Sequence, residues 1–198
     1  MRQKIAVEAA TLLYFGSEKE YRQAKVKAAE TFGARTLPSN LEIALELDKI
    51  AENTEGLART ERLVQMRAEA LRIMKILEKY CPVLIGSVWR GTIRRGSDID
   101  IEVFCDEPEE IIPRLRVDSL EITKTERMTT TENKKIESSF HIHVLSSGKY
   151  AVEIAVRNSE QKGRRRKCDT FGDEIRGLKT TELEKILQDN PIIKFLPL

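Results

Sequence analysis

An α+β fold, with a helical N-terminal region leading into a small mixed β-sheet with flanking helices, is predicted by three observations on the sequence. Apolar residues recur at steps of three and four in the first 80 positions, most regularly over 57–80. After Cys81-Pro82 the period shortens to two. Farther on, the turn Ser146-Ser147-Gly148-Lys149 separates two alternating runs, as in a β-hairpin.

The helical region breaks at Gly16-Ser17, across 33–40 and around 53–56, so three or four helices are expected. Ser17 with Glu20, and Ser39 with Glu42, have the S-x-x-E spacing in which serine and glutamate satisfy unpaired amides at a helix start. Over 57–80, Leu63, Met66, Ala70, Ile73, Leu77 and Tyr80 form one apolar stripe that suits a core. Val83-Leu84-Ile85 then reads as a short buried strand ending at Gly86-Ser87. A second strand over 99–104 alternates Ile99, Ile101 and Val103 with Asp100 and Glu102, and Asp98 precedes it on the acidic face. An acidic turn or short helix follows near 107–115, then a strand over 120–127 and the hairpin of 139–144 with 150–156. The remainder holds a basic run at 162–167, a helix over 180–189 and a Pro-flanked apolar end. The organisation predicted is a helical region, 1–56, and a second unit, 57–198.

The 34 Lys and Arg against 32 Asp and Glu leave a formal charge of only +2, so no global field marks a polyanionic partner and local clusters must do so. Cys81, Cys105 and Cys168 are odd in number and lack zinc spacing, which fits a reducing compartment. No apolar run approaches the ~20 residues needed to cross a bilayer, and no secretory signal is visible. A cytoplasmic protein without membrane contact is expected.

Carboxylates at i and i+2 of a strand point the same way about 7 Å apart, so ionising both is unfavourable unless a cation lies between them. A magnesium ion takes such hard oxygen ligands and completes its shell with water and phosphate oxygens. A lone D-x-D also occurs on plain edge strands. Here it follows Gly86-Ser87-Val88-Trp89-Arg90-Gly91-Thr92 and ends Gly96-Ser97-Asp98-Ile99-Asp100, so a turn able to cradle phosphate comes ten residues ahead of the acidic strand.

The stretch resembles the polymerase beta nucleotidyltransferase superfamily, and most of all the catalytic domain of archaeal CCA-adding enzymes, which share G-S-x-x-R-G-T followed by G-S-D-I-D. The resemblance covers roughly 70–156 and implies a polymerase beta-like palm that moves a nucleoside monophosphate from a nucleoside triphosphate to a hydroxyl acceptor, an RNA above all, with release of pyrophosphate. It implies that Gly86, Ser87, Arg90 and Ser97 bind the nucleotide. Asp98 and Asp100 would hold two Mg2+ ions, with Mn2+ as a substitute, and a third carboxylate on a later strand would join them. Glu153 is the candidate, flanked by the small residues Ala151 and Ala155; that branch carries aspartate at this point, and Glu121 is the competitor. His141 and His143 share a strand face and suit a structural or nucleotide-adjacent role.

Arg94 and Arg95, and Arg164, Arg165, Arg166 and Lys167, are candidate nucleic-acid contacts, the alternatives being solvated loops or, for the basic run, a grip on the donor triphosphate. At 198 residues the chain lacks room for the further domains with which CCA-adding enzymes hold transfer RNA, so a smaller transferase is expected. Its acceptor is an RNA end or a protein side chain, and region 1–56 would bind the acceptor or form a homodimer. The alternative from another class is an inactive module that keeps the fold and binds RNA or nucleotide.

Overall fold

The computed structural model describes residues 1–116, 120–132 and 135–197. Helices α1 (Arg2–Tyr14), α2 (Tyr21–Thr31) and α3 (Asn40–Ile76) make up the first part of the chain. The Ser39–Glu42 box caps α3: Glu42 N–H donates to Ser39 Oγ at 3.2 Å and Ser39 N–H to Glu42 Oε2 at 2.7 Å. The Ser17–Glu20 box does not form. Helix α2 starts later, at Tyr21, and has no side-chain cap. Glu18 N–H instead folds back to Leu12 O, and the Glu18 carboxylate accepts from Lys27.

The break expected around 53–56 is a kink within α3, at Gly56, whose φ of 53° and ψ of −137° lie outside the helical range. Two cores lie on either side of it. Ile5, Ala6, Ala9, Ala10 and Leu13 of α1 pack on Ala24 and Ala28 of α2 and Ile43 of α3, the alanines letting the helices approach closely. The apolar stripe Leu63, Met66, Ala70, Ile73, Leu77 and Tyr80 belongs to the second core, although α3 ends at Ile76 and a short 3₁₀ turn carries Tyr80.

After that turn come β1 (Val83–Ile85), α4 (Gly86–Arg90), β2 (Ile99–Phe104), α5 (Ile111–Leu115), β3 (Leu120–Glu132), β4 (Lys135–Ser146), β5 (Tyr150–Arg157), β6 (Leu178–Lys179) and α6 (Thr180–Asp189). The strands form one mixed sheet in the order β3-β4-β5-β2-β1-β6, in which β2 and β5 are parallel and the other pairs antiparallel. Strand β3 is longer than its sequence suggests, and the two-residue β6 is too short to be read from periodicity. Ile99, Ile101 and Val103 of β2, Val152, Ile154 and Val156 of β5, and Ile142 and Val144 of β4 share one face with the stripe of α3 and with Leu183 of α6. Because side chains alternate along a strand, Asp100, Glu102, Glu153, His141 and His143 emerge on the other face. None of the described helices is long and apolar enough to cross a membrane.

Candidate active site

The parallel pairing of β2 with β5 sets Asp100 directly opposite Glu153, and Asp98, two residues before Asp100, faces the same way. Ligand oxygens of Asp98, Asp100 and Glu153 all lie within 4.8 Å of one another, and each residue is half-buried. Asp98 and Asp100 form no ion pair with a described residue. Burial, and then the charges of Asp98 and Glu153, push the Asp100 carboxyl up to about 8. Glu121 is exposed on β3, opposite Leu145 and three strands from β2, and does not join the group.

Gly86 makes the placement of Asp100 possible. Ile85 pairs with Asp100 across β1 and β2, and a Cβ on the adjoining Gly86 would lie 1.8 Å from Asp100 Oδ2. The φ of 69° at Gly86 is itself a conformation that side chains resist. Ser87 follows, half-buried, in the first turn of α4.

Among the described residues no Lys or Arg pairs with the three carboxylates, which converge on a cradle that a Cβ would fill, so the donor set fits hard divalent ions such as Mg2+.

On its other side Glu153 is held by β4. His141 Nδ1 bonds Glu153 Oε1, and His141 Nε2 bonds the Ser139 hydroxyl at 2.7 Å. This contact follows from the β4–β5 register, which sets His143 opposite Glu153 and His141 two residues along on the same face. The sequence carried the signal in the hairpin alternation, but not the partner. His143 is engaged elsewhere, with Glu126 Oε1 2.9 Å from its Nε2.

Arg90, the expected triphosphate contact, is engaged within the protein. Its side chain is 3% exposed and donates to Asp173 Oδ1 at 2.6 Å and to the Phe195 carbonyl at 3.1 Å. The guanidinium lies over the rings of Trp89 and Phe171, at 4.4 and 4.2 Å. These partners fix α4 against the C-terminal segment. Arg67, wholly buried in α3, does the same from below, donating to the carbonyls of Val88, Trp89, Pro191 and Ile193. Burial draws its guanidinium down to about 10.

Ser97 closes the turn before Asp98, its Oγ accepting from Arg94 N–H at 2.9 Å, so this hydroxyl shapes the loop. Arg94 is half-buried and Arg95 exposed. The Arg95 backbone N–H donates to the buried Glu55 of α3 at 3.0 Å, which ties the site loop to the helical region. Arg164, Arg165 and Arg166 line a cavity of about 680 Å3 beside β1 and β2, which Lys167 does not line. Lys167 pairs through its backbone with Glu174. Arg166 also bonds Glu102, which Arg157 bonds from β5. A smaller groove of about 330 Å3 opens on the opposite flank, over Asp98, His143, Leu145 and Ala151.

The family profile of the nucleotidyltransferase domain matches residues 67–176, a span that holds the Gly-Ser turn, all three carboxylates and the arginine run. No curated protein and no solved structure gives a match. Over more than half its length, therefore, this chain belongs to the nucleotidyltransferase domain family.

Proposed function

We propose that the protein moves a nucleoside monophosphate from a nucleoside triphosphate to a hydroxyl acceptor, the end of an RNA, and releases pyrophosphate. The observation that carries this reading is the convergence of Asp98, Asp100 and Glu153 on the space beside Gly86, in a chain of the nucleotidyltransferase domain family. In this proposal residues 57–198 form the catalytic unit and 1–56 an accessory helical one.

Asp98, Asp100 and Glu153 would hold two magnesium ions, which supply charge neutralisation at the phosphates and a more acidic acceptor hydroxyl. The chain's own groups do the rest. Gly86 lets Asp100 stand against the backbone, and Ser87 offers its hydroxyl to the phosphates. Arg90 and Arg67 keep α4 in position, so that Ser87 stays aimed while the nucleotide binds. Glu153 takes the proton of the acceptor hydroxyl, and His141 Nδ1–H fixes the carboxylate that receives it.

The test is incubation of the purified protein with Mg2+, labelled nucleoside triphosphates and a broad RNA pool. Label is expected to enter RNA with the wild type and not with Asp98→Ala plus Asp100→Ala. Absence of both triphosphate binding and incorporation in the wild type contradicts the proposal.

A further inference from the structure

The three carboxylates are held in place by different means. Asp100 and Glu153 stand in strands and face one another across β2 and β5, so strand pairing sets their places. Asp98 comes one residue before β2 and lies outside that pairing. Its place depends on the segment 91–97, which runs from the end of α4 into β2 and contains no helix or strand.

Segment 91–97 is closed at its two ends by its own backbone, with Thr92 N–H donating to Ser87 O and Ser97 N–H to Arg94 O, each at 3.0 Å. Between these ends it is held by side chains of α3. Arg59 Nε–H donates to the Ile93 carbonyl at 2.7 Å, and Glu55 Oε1 accepts from Arg95 N–H at 3.0 Å. Two backbone groups within six residues of Asp98 are therefore fixed to one helix.

Both side chains are anchored in turn. The Glu55 side chain is 1% exposed and that of Arg59 7%. Asp48 pairs with Arg59, and Lys194 bonds the same Asp48. Glu55 is paired with Arg62 and accepts from the Tyr14 hydroxyl of α1 at 3.0 Å. A carboxylate so buried persists only where charge and hydrogen bonds offset its desolvation, and one of the bonds that do so here comes from the loop.

The kink at Gly56 fits the same task. In an unbroken helix, positions 55 and 67 would point about 120° apart around the axis. With the non-helical Gly56 between them, Glu55 and Arg59 hold Ile93 and Arg95 while Arg67 holds Val88 and Trp89. Glu55 and Arg59 also lie outside 67–176, the span of the family match, so this support reaches the site from beyond the matched domain.

We infer that Glu55 and Arg59 are positioning residues for Asp98, through which the helical region completes the metal site. Helix α3 fixes the backbone of Ile93 and Arg95, and that backbone sets the approach of Asp98 to Asp100 and Glu153. The part played by a metal rests on the proposed nucleotidyl transfer, whereas the ordering of the segment by α3 does not.

Two measurements on the full chain test this without turnover. One is amide hydrogen exchange of residues 92–98 in the absence of metal; the other is Mn2+ binding, followed by loss of the free-ion electron paramagnetic resonance signal. Glu55→Asp keeps the charge paired with Arg62 but withdraws the carboxylate from Arg95 N–H. It should speed exchange in the segment and weaken Mn2+ binding about tenfold, as expected when a group that orients a metal ligand is lost. Glu55→Gln keeps an acceptor oxygen at the same reach and should stay within about threefold of wild type in both measurements. Arg59→Lys, which has no planar fork to serve Ile93 O and Asp48 together, should act in the direction of Glu55→Asp, and keeps the test open if that variant does not fold. Ile5→Val, a change in the helical core, should lower the unfolding midpoint and leave segment exchange and Mn2+ affinity unchanged. Wild-type Mn2+ affinity in folded Glu55→Asp and Arg59→Lys overturns the inference. So does an equal loss of affinity in Ile5→Val, or a wild type that takes up no Mn2+. If exchange and Mn2+ binding respond as described but the wild type transfers no nucleotide, the positioning stands and the proposed function falls.

Discussion

Asp100 and Glu102 stand two residues apart on β2 and point to the same face, yet their surroundings are opposite. Glu102 is 6% exposed and bonded by two arginines, Arg157 and Arg166. Asp100 is given two more carboxylates, Asp98 and Glu153, and its carboxyl is held up to about 8. A fold selected only for stability gains nothing from the second arrangement, since like charges brought together out of water repel. The paired end of the strand reads as structure, and the unpaired end as a place prepared for a cation.

The difference can be broken from either end. The largest effect is expected from Asp98→Ala with Asp100→Ala, which should take nucleotidyl transfer to background while thermal unfolding shows a folded protein; chelation of divalent metal should do the same to the wild type. Gly86→Ala comes next. Its Cβ would occupy the place of Asp100 Oδ2, so transfer should fall toward the double-variant level, with a stability cost of about 1 kcal/mol or more from the positive φ.

Glu102→Gln should behave in the reverse way. Removing one partner of a buried ion pair costs about 3–5 kcal/mol, visible as a lowered unfolding midpoint in denaturant, but the folded fraction should retain its turnover. His141→Ala should cost about 10–100-fold in activity, as expected for a group that orients a metal-binding side chain. His141→Asn, which keeps a donor near Glu153, should recover part of this loss.

The last effect is on stability against pH, not on turnover. The folded state holds a proton on Asp100 up to about 8, whereas in the unfolded chain the group gives it up near 3.8. The contribution of this proton to stability is therefore full below 3.8, declines as the pH rises, and is gone once the pH passes about 8. Unfolding midpoints of the metal-free protein should show this decline, and Asp100→Asn should remove it. Magnesium should stabilise the wild type most at the alkaline end, where it no longer competes with the proton.

What the sequence made legible was periodic or local. Strand β2 (Ile99–Phe104) and helix α6 (Thr180–Asp189) have the bounds that their alternation and flanking residues predict, and the stripe of α3 is buried as its spacing requires. Local rules failed where tertiary contacts decided. The two S-x-x-E boxes are equivalent in sequence, but only Ser39 caps a helix, because Glu18 is drawn back toward Leu12 and Lys27. The Gly-Ser motif carries Arg90 toward phosphate, whereas Trp89, Phe171 and Asp173, the last two some 80 residues away, hold it in the core. The close approach of Asp100 to Gly86 depends on the register of β1 and β2 and could not be read from either segment alone. The carboxylate group was half legible: the Asp98–Asp100 spacing was local, and Glu153 joins it through strand pairing.

In the proposed transfer the unpaired end of β2 is catalytic and the paired end is structural. Pyrophosphate release from a nucleoside triphosphate, followed with Mg2+ and RNA for wild type, Asp100→Asn and folded Glu102→Gln, tests it directly. Release is expected from wild type and Glu102→Gln and not from Asp100→Asn. Release that survives Asp100→Asn, or that is abolished in folded Glu102→Gln, contradicts it.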